Sequence, residues 1–449
     1  EKLNVGAIER YLGDLGVQQK IVPKKIKYKK KIAIIGAGPA GLTAALRLRN
    51  AGYPVAVYEA LSKAGGMMRI GIPEFRLPQK ALDKEIDLIV QQGVEIILNK
   101  KVNIKELEKD NDAVIVSTGA HISASMNIHN EELAIEGIHF LNEFKMNGNT
   151  FGIKKGNEIA IIGGGNTAID VARTTLRLGG KPTIYYRRTQ QEMPAIPYEV
   201  EEALDEGIKI EFLSAPVGIK SSTKNALKLT LIKMELGNED ESGRRKAIAI
   251  KGSEKEISVD KVITAIGQKN DSYAFGKETQ AKQGKIANSF PVFCAGDMAW
   301  GGTVTEAIGS GNEVAKEVMA YLEGAEYKKV KSPSTVVGPE DINYTYYLPT
   351  ASHHHSIIKE KTLYNNFNEV VKGLTTKQIV EESNRCLHCG ECFSCGNCFN
   401  YCPDSAIFID ENNRIRINYD YCKGCGICAN ECPCSAIDFH MNKIEMAQE

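Results

Sequence analysis

Through its first 385 residues the chain holds one cysteine, Cys294, although it has 12 in all. A secreted scaffold stapled by disulfides spreads its cysteines among the units they hold together, so that class is excluded. Net charge is also missing. The 56 Lys and Arg balance 56 Asp and Glu, which leaves no overall attraction for a phosphate backbone or an anionic lipid surface. Nucleic acid is therefore not an expected partner. The longest apolar stretches, such as Ile32 to Leu46, are interrupted by glycines and too short to span a bilayer, and no secretory leader pattern opens the sequence. The expected compartment is the cytoplasm. No H-E-x-x-H, G-x-S-x-G or phosphate-loop motif occurs either. What is present is 449 residues, 43% apolar and 25% charged, room for about three globular domains at roughly 150 residues each.

Two stretches read strand, tight glycine turn, helix, strand. The first runs from Lys31 to Glu59 and the second from Glu158 to Tyr186, 127 positions later. Asp112 to Ala120, Lys261 to Gly267 and Lys285 to Asp297 read as further strands, and Val304 to Met319 as a helix. Strands are also expected over Leu227–Glu235 and Ala247–Ile250, around a polar turn at Gly237–Gly243. The expected fold class is α/β, with two Rossmann-like dinucleotide-binding domains, the second inserted in the first, and a small α+β domain at the C-terminal end. The expected boundaries are a lead-in helix and connector over 1–30, a first domain over 31–150 and 269–327, an inserted domain over 151–268, a linker over 328–384 and a cysteine domain over 385–449. Val5, Ile8, Leu12 and Leu15 set the apolar face of the lead-in helix. The linker contains His353, His354 and His355, whose side chains would point in opposing directions on an extended chain and so are not expected to share a metal.

The first turn reads Gly36-Ala37-Gly38-Pro39-Ala40-Gly41, the context in which a pyrophosphate approaches backbone amides at the positive end of a helix. Glu59 closes the next strand 23 positions after Gly36, placed to accept ribose hydroxyls. The strand over 112–120 runs into Ser117-Thr118-Gly119. Gly296 and Asp297 end a later strand just before Thr303 and Val304 open a helix, which suits a ribityl hydroxyl and amides facing a flavin pyrimidine. Together these favour FAD over a lone nicotinamide nucleotide. The alternative is a turn whose glycines serve packing alone. The second turn reads Gly163-Gly164-Gly165-Asn166-Thr167-Ala168. Where an NAD site presents a carboxylate, the following strand ends in Arg187 and Arg188, guanidinium groups suited to a 2′-phosphate. NADPH is expected, with NADH the alternative. In the competing reading the two arginines pair with the acidic helix Glu199–Glu206.

Eleven cysteines crowd between Cys386 and Cys434. The segment Cys392–Ile407 repeats as Cys422–Ile437 at an offset of 30 residues. Each copy spells C-x2-C-x2-C-x3-C-P. In this spacing three thiolates hold one iron–sulfur cubane while the fourth reaches across to the other. Cluster one is expected on Cys392, Cys395, Cys398 and Cys432, and cluster two on Cys422, Cys425, Cys428 and Cys402. Zinc also takes four thiolates, but two interlocked sets each closed by proline are not its habit. Cys386 and Cys389 extend the spacing upstream and open an alternative register, against which Pro403 argues. Cys434 stands where the other copy has Asp404 and reads as a spare thiol. With no second thiol near Cys294 in sequence, flavin–disulfide chemistry of the thioredoxin-reductase kind is disfavoured.

The motifs Asn4-Val5-Gly6-Ala7-Ile8-Glu9-Arg10, Gly71-Ile72-Pro73-Glu74-Phe75-Arg76-Leu77-Pro78, Tyr186-Arg187-Arg188 with Met193-Pro194-Ala195, Ala265-Ile266-Gly267-Gln268 and Ala295-Gly296-Asp297 resemble the small (β) subunit of NADPH-dependent glutamate synthase and its wider family. The likeness spans residues 1 to 325. From Arg385 onward the chain resembles a bacterial two-cluster ferredoxin. The resemblance implies FAD near Gly36, Gly38, Gly41, Glu59, Gly66 and Arg69 with Asp297, and NADPH near Gly163, Gly165, Asn166, Arg187 and Arg188. That family usually begins with a cysteine-rich iron–sulfur domain ahead of the Ile8–Arg10 helix. This sequence starts after it, so a truncated chain or a separate iron–sulfur subunit is implied.

The expected function is an electron-transfer subunit. Hydride passes between NADPH and FAD, and single electrons pass through two [4Fe-4S] clusters to or from a larger redox subunit or a soluble ferredoxin. Two rival readings remain: a glutamate synthase small subunit acting with a glutaminase-type partner, and a scaffold that holds FAD without catalysis. No side chain is expected to act as acid or base on an organic substrate.

Overall fold

The computed structural model describes residues 2–18, 21–222, 226–239, 243–275, 290–299, 301–329, 336–357 and 363–440. Parts of the strand expected over Lys285–Asp297, of the turn at Gly237–Gly243 and of the linker lie outside them. The chain divides into two compact units, one of residues 17–327 with 357–371, the other of residues 1–16, 328–356 and 372–449. Helix α1 (Val5–Gly16) thus belongs to the unit that carries the cysteines.

In the larger unit, β1 (Ile32–Ile35), the glycine turn and α2 (Pro39–Ala51) lead to β2 (Val55–Tyr58). A short helix α3 (Met67–Ile70), then α4 (Gln79–Gln91), β3 (Glu95–Ile97), α5 (Ile104–Leu107) and β4 (Ala113–Val116) follow. Strand β1 is buried at every residue, as a parallel strand covered on both faces must be. At this point the chain leaves through β5 (Ala120–Ser123). It builds a second module from β6 (Ile135–Glu136), α6 (Gly137–Asn147), β7 (Glu158–Ile162), α7 (Asn166–Arg177), β8 (Lys181–Tyr186), α8 (Pro197–Asp205) and β9 (Lys209–Phe212).

An antiparallel sheet follows, made of β10 (Ser214–Ser221), β11 (Leu227–Glu239), β12 (Arg245–Ala249) and β13 (Lys255–Val259), with β11 at its centre. Then β14 (Lys261–Thr264) completes the second module. The chain returns along β15 (Gln268–Asn270), antiparallel to β5, and adds β16 (Val292–Cys294) and α9 (Val304–Glu323) to the first. The first sheet has the order β16-β4-β1-β2-β3 and the second β6-β14-β7-β8-β9, and every pairing in both is parallel.

The expected insertion is therefore present, but the second module begins near β6, before residue 151. A two-residue strand paired only through Ile135 and Glu136 carries no periodicity to mark that change. The first module's core is closed by α9 lying on α2. Gly311 lets the two helices approach so closely that a Cβ there would stand 2.4 Å from the Ala40 carbonyl oxygen. Gly41 does the same for helix and strand, since a Cβ would reach 2.1 Å from the Gly36 oxygen.

The two modules are joined by buried charge. Arg76, in the loop after α3, donates to both carboxylate oxygens of Asp170 on α7 at 2.8 and 2.7 Å and also bonds Glu199 on α8. Burial pushes the carboxyls of Asp170 and Glu199 up, and Arg76 opposes the shift at both. Beside them the ring of Phe75 lies under the guanidinium groups of Arg173 and Arg177, 5.0 and 3.9 Å from its centre. Those arginines bond Glu202 of α8 and Glu206 at its C-terminal cap. The acidic helix is thus matched by Arg76, Arg173 and Arg177 rather than by Arg187 and Arg188.

In the smaller unit α1 packs on α10 (Thr376–Ser383) through Ala7, Leu374 and Ile379, with Ile8 and Tyr11 alongside. The face expected from Val5, Leu12 and Leu15 is exposed instead. Buried Glu382 accepts from the backbone N–H groups of Asn4 and His353, each at 2.8 Å, and from Arg385 at 2.6 Å. Past this point the cysteine segment forms α11 (Asn397–Tyr401), a hairpin of Ile407–Ile409 with Ile415–Ile417, and α12 (Ile427–Asn430).

Candidate cofactor sites

Three backbone segments converge beyond the C-terminal end of β1. Gly36 has a φ of +103°, and a Cβ there would meet the Ser117 carbonyl oxygen at 2.5 Å. Gly66, at φ +51°, lies so near Gly38 that its Cβ would come within 2.8 Å of the Gly38 Cα. Only glycine fits these positions. Ser117 Oγ donates to the Ile35 or Gly36 carbonyl at 3.1 and 3.0 Å, which holds the turn in place.

Around this point opens a cavity of about 550 Å³. Gly36, Gly38, Pro39, Ala40, Glu59, Gly66, Gly119, Gly296, Asp297, Thr303 and Val304 all line it. Helix α2 begins with no side-chain cap on its first amides, an open positive end. Glu59 accepts from the Ala37 N–H at 2.8 Å and the Leu61 N–H at 2.9 Å. Its carboxylate is thus oriented at the cavity wall with lone pairs to spare. At the far end, Asn270 Nδ2 donates to the Asp297 carbonyl at 2.8 Å, and the Gly296 N–H donates to Ser310 Oγ at 3.0 Å.

Thr118 Oγ1, also on the wall, is buried without a hydrogen-bond partner among the described residues. A buried hydroxyl left unpaired is costly. That orphan, the glycine cradle and the carboxylate together fit a flavin nucleotide.

Gly41 and Arg69 do not line this cavity. Arg69 instead braces the Ala64–Gly66 turn from behind, donating to the Ala64 carbonyl at 2.9 Å, to Gln79 at 2.6 Å and to Asp83 at 2.5 Å. The wall also includes His121, His139, Asn142, Gln268, Asp271 and Tyr273, which the sequence reading missed. His139 and Asn142 sit on α6 of the inserted module, so no motif of the first unit could have pointed to them.

The second turn repeats the first. Gly163 has a φ of +145°, and a Cβ there would stand 2.1 Å from the Ala265 oxygen. Gly165 precedes α7 with no side-chain cap. Asn166 Oδ1 accepts from the Ile196 N–H at 2.9 Å, and Thr167 Oγ1 lies 3.4 Å from Gln268 Nε2. Gly267, at φ +118°, accepts from the Ala124 N–H where the chain returns between modules.

At the end of β8 the two arginines part. Arg187 is exposed, while Arg188 is buried and donates from Nε to the Arg245 carbonyl at 2.6 Å. Arg245 in turn pairs with Glu192 at 2.6 Å. Arg188 therefore anchors the β11–β12 hairpin to the strand end, and Arg187 is the guanidinium that faces outward.

In the cysteine segment the backbone of one repeat matches the other. Gly396 and Gly426 have φ of +82° and +75°, and Ser405 and Ser435 both have +53°. The Ala406 N–H donates to Cys402 Sγ at 3.3 Å, and the Ala436 N–H to Cys432 Sγ at 3.2 Å. Cys392, Cys395, Cys398 and Cys432 line one cavity of about 110 Å³, with Cys434, Phe393, Ile415 and Ile437. Burial, and then the sulfurs of Cys395, Cys392 and Cys432, raise the Cys398 thiol. Burial, and after it Cys422 and Cys425, raise Cys428. Among the described residues no three His, Cys, Asp or Glu side chains close on a point where one ion could sit. Sulfurs ringing a cavity suit a cluster several atoms across better than a single zinc. Cys386 and Cys389 are exposed. The three adjacent histidines find separate partners, Glu381 for His353, Ser352 for His354 and the Lys372 carbonyl for His355.

The comparisons with known proteins give the family of each part. Residues 30–312 match the family described as pyridine nucleotide-disulphide oxidoreductase, and residues 391–436 match the 4Fe-4S dicluster domain. A relative in Moorella thermoacetica, the NADP(+)-dependent formate dehydrogenase subunit beta, is 37% identical over 388 residues, 80% of this chain and 54% of that one. The NADPH-Fe(3+) oxidoreductase subunit beta of Geobacter sulfurreducens is 33% identical over 446 residues, 87% of this chain and 66% of that one. The glutamate synthase [NADPH] small chain of Escherichia coli K12 is 30% identical over 72% of this chain and 75% of its own length.

The chain thus spans between about half and two thirds of the first two relatives. FprA from Mycobacterium tuberculosis shares the fold at 20% identity and a TM-score of 0.57, over 68% of this chain and 88% of that one. Cys294 is buried, and burial pushes its thiol up to about 11. No described helix is long and apolar enough to cross a membrane. The chain belongs to the pyridine nucleotide-disulphide oxidoreductase family, with an FAD- and NAD(P)-binding pair of modules and a 4Fe-4S dicluster domain that follows them.

Proposed function

We propose that this chain is the NADPH-linked electron-transfer subunit of a larger cytoplasmic redox assembly, exchanging electrons with a partner oxidoreductase or a soluble ferredoxin. One observation carries the reading. A single compact unit holds both the cavity running from Glu59 to the start of α9 and a second glycine turn whose strand ends in Arg187, and the same chain bears the duplicated cysteine segment. When bound, the flavin exchanges a hydride with the nicotinamide and gives or takes electrons singly with iron–sulfur clusters.

The protein's part is positioning. Glu59 holds the ribose end, Thr118 and the amides at the start of α2 receive the polar middle, and Asp297 with the first amides of α9 orients the other end. Arg187 favours a 2′-phosphate, with which a guanidinium makes charge-assisted bonds. The thiolates of Cys392, Cys395, Cys398 and Cys432 would hold the first cluster, and those of Cys422, Cys425, Cys428 and Cys402 the second. The Ala406 and Ala436 amides donate to two of these sulfurs, an arrangement that tunes cluster potential.

Relatives named as beta subunits or as a small chain support a larger partner. The glutamate synthase reading is ranked lower, because its small subunit has no need of the dicluster segment. The test is anaerobic titration of the full chain with NADPH and with NADH, followed by viologen reduction. Bleaching of the flavin band by NADPH is expected, and failure with both nucleotides overturns the proposal. The partner is identified from polypeptides that copurify under anoxic conditions.

A further inference from the structure

The two cysteine repeats align at every cysteine of the motif and part company just after it. Where the second has Cys434, the first has Asp404. Asp404 is exposed and pairs with Lys423 at 3.2 Å, at the surface. Cys434 is 2% exposed and lines the same cavity as Cys392, Cys395, Cys398 and Cys432. Its sulfur lies 3.9 Å from that of Cys432 and donates its hydrogen to the Glu391 carbonyl at 3.1 Å. The cavity of the first cluster therefore has five sulfurs for four corners, with two of them side by side at one corner. The matching corner of the second cluster has Cys402 and, two positions on, a carboxylate turned to solvent.

We infer that Cys434 is a reserve ligand for the corner of the first cluster that Cys432 fills. This rests on the ligand assignment proposed above. The exchange is a balanced substitution. As the Cys434 sulfur bonds to iron its thiol proton goes to water, and a departing Cys432 thiolate takes one up, so no oxidant or reductant is needed. Two features make the move short. The sulfurs are already in contact, and the backbone at Cys434 is fixed by the Gly390 N–H donating to its carbonyl at 2.7 Å. The side chain alone has to turn, away from the Glu391 carbonyl and toward the corner. A buried cysteine that merely filled space would behave as a small apolar residue and leave the cluster indifferent to its loss.

The test uses the full chain, purified without oxygen, as wild type and as Cys432→Ala, Cys434→Ala, the double variant and Cys402→Ala. Iron and sulfide per chain, the electron paramagnetic resonance of the reduced protein and circular dichroism are measured on each. Wild type is expected to hold about eight irons. Cys432→Ala is expected to keep that number, with a changed resonance from one cluster. The double variant and Cys402→Ala are each expected to lose roughly one to four irons, because neither retains a second thiol at the affected corner. If Cys432→Ala loses as much iron as the double variant, the inference is overturned. Wild type without iron would instead overturn the cluster assignment itself, a distinguishable result.

Should Cys432→Ala not fold by circular dichroism, the Cys434→Ala holoprotein decides. It keeps all eight assigned ligands but cannot recapture a corner that opens. It is expected to lose iron to a ferrous chelator several-fold faster than wild type, and an equal rate overturns the inference.

Discussion

The two strand–glycine–helix units of the larger body use one backbone device and end it with opposite charges. Each has a first glycine pressed against the carbonyl of a neighbouring strand end, Gly36 on Ser117 and Gly163 on Ala265, and each opens a helix whose first amides no side chain caps. After the next strand the first presents Glu59, buried and bonded to two amides, and the second presents Arg187 in the open. The turn is therefore generic for a pyrophosphate. In the function proposed above, the residue at the end of the following strand decides what the ribose beside it carries.

Four variants press on that contrast, and the largest effect is expected where the units are tied together. Arg76→Met removes the cation between Asp170 and Glu199, leaving two buried carboxylates without it, at a cost of about 3–5 kcal/mol. Burial already holds both carboxyls above their ordinary values, so in the variant the penalty exists only while they are charged. Stability lost at neutral pH should be regained as pH falls through those raised values, the reverse of ordinary acid denaturation. Denaturation midpoints measured against pH check both points.

Next, Glu59→Ala deprives the Ala37 and Leu61 amides of their acceptor, about 1–3 kcal/mol of stability. It should also yield protein that loses most of its flavin on gel filtration. Arg187→Asp turns the second unit's ending into that of an NAD site. Loss of a charge-assisted bond, about 1.5–3 kcal/mol, raises the KM for NADPH roughly tenfold to a hundredfold while that for NADH changes little. An unchanged ratio would mean that the 2′-phosphate is read elsewhere. The smallest change is expected from Thr118→Val. It removes a hydroxyl that has no partner among the described residues, so the flavin-free protein gains up to about 1 kcal/mol while flavin binding weakens a few-fold.

Much of this was readable in the chain because it depends on neighbours in sequence. Glycines at fixed offsets, a carboxylate 23 positions on and cysteines at two-residue intervals all report local geometry. The long-range pairings were not readable. Arg76 meets Asp170 across 94 residues and Glu199 across 123, and nothing in an arginine marks which of 56 acids it will find. For the same reason Arg187 and Arg188 looked alike in sequence, although one is exposed and the other holds a hairpin whose strand begins at Arg245. Helix α1 showed an amphipathic pattern, but it buries Ala7 and packs Ile8 and Tyr11. A small residue on a crowded face reads as neutral in any hydrophobic periodicity.

The grouping of α1 with the cysteine unit sets an order of events during synthesis. The amide of Asn4 waits for Glu382, 378 residues downstream. At about 5–20 residues per second that is roughly 20 to 75 seconds on the ribosome. The whole dinucleotide-binding body is made in that interval, before the cysteine segment can close around metal. Iron loading at the cysteine segment would then follow the synthesis of that body, and a nascent protein stalled before residue 382 could take up its flavin while remaining unable to pass an electron onward.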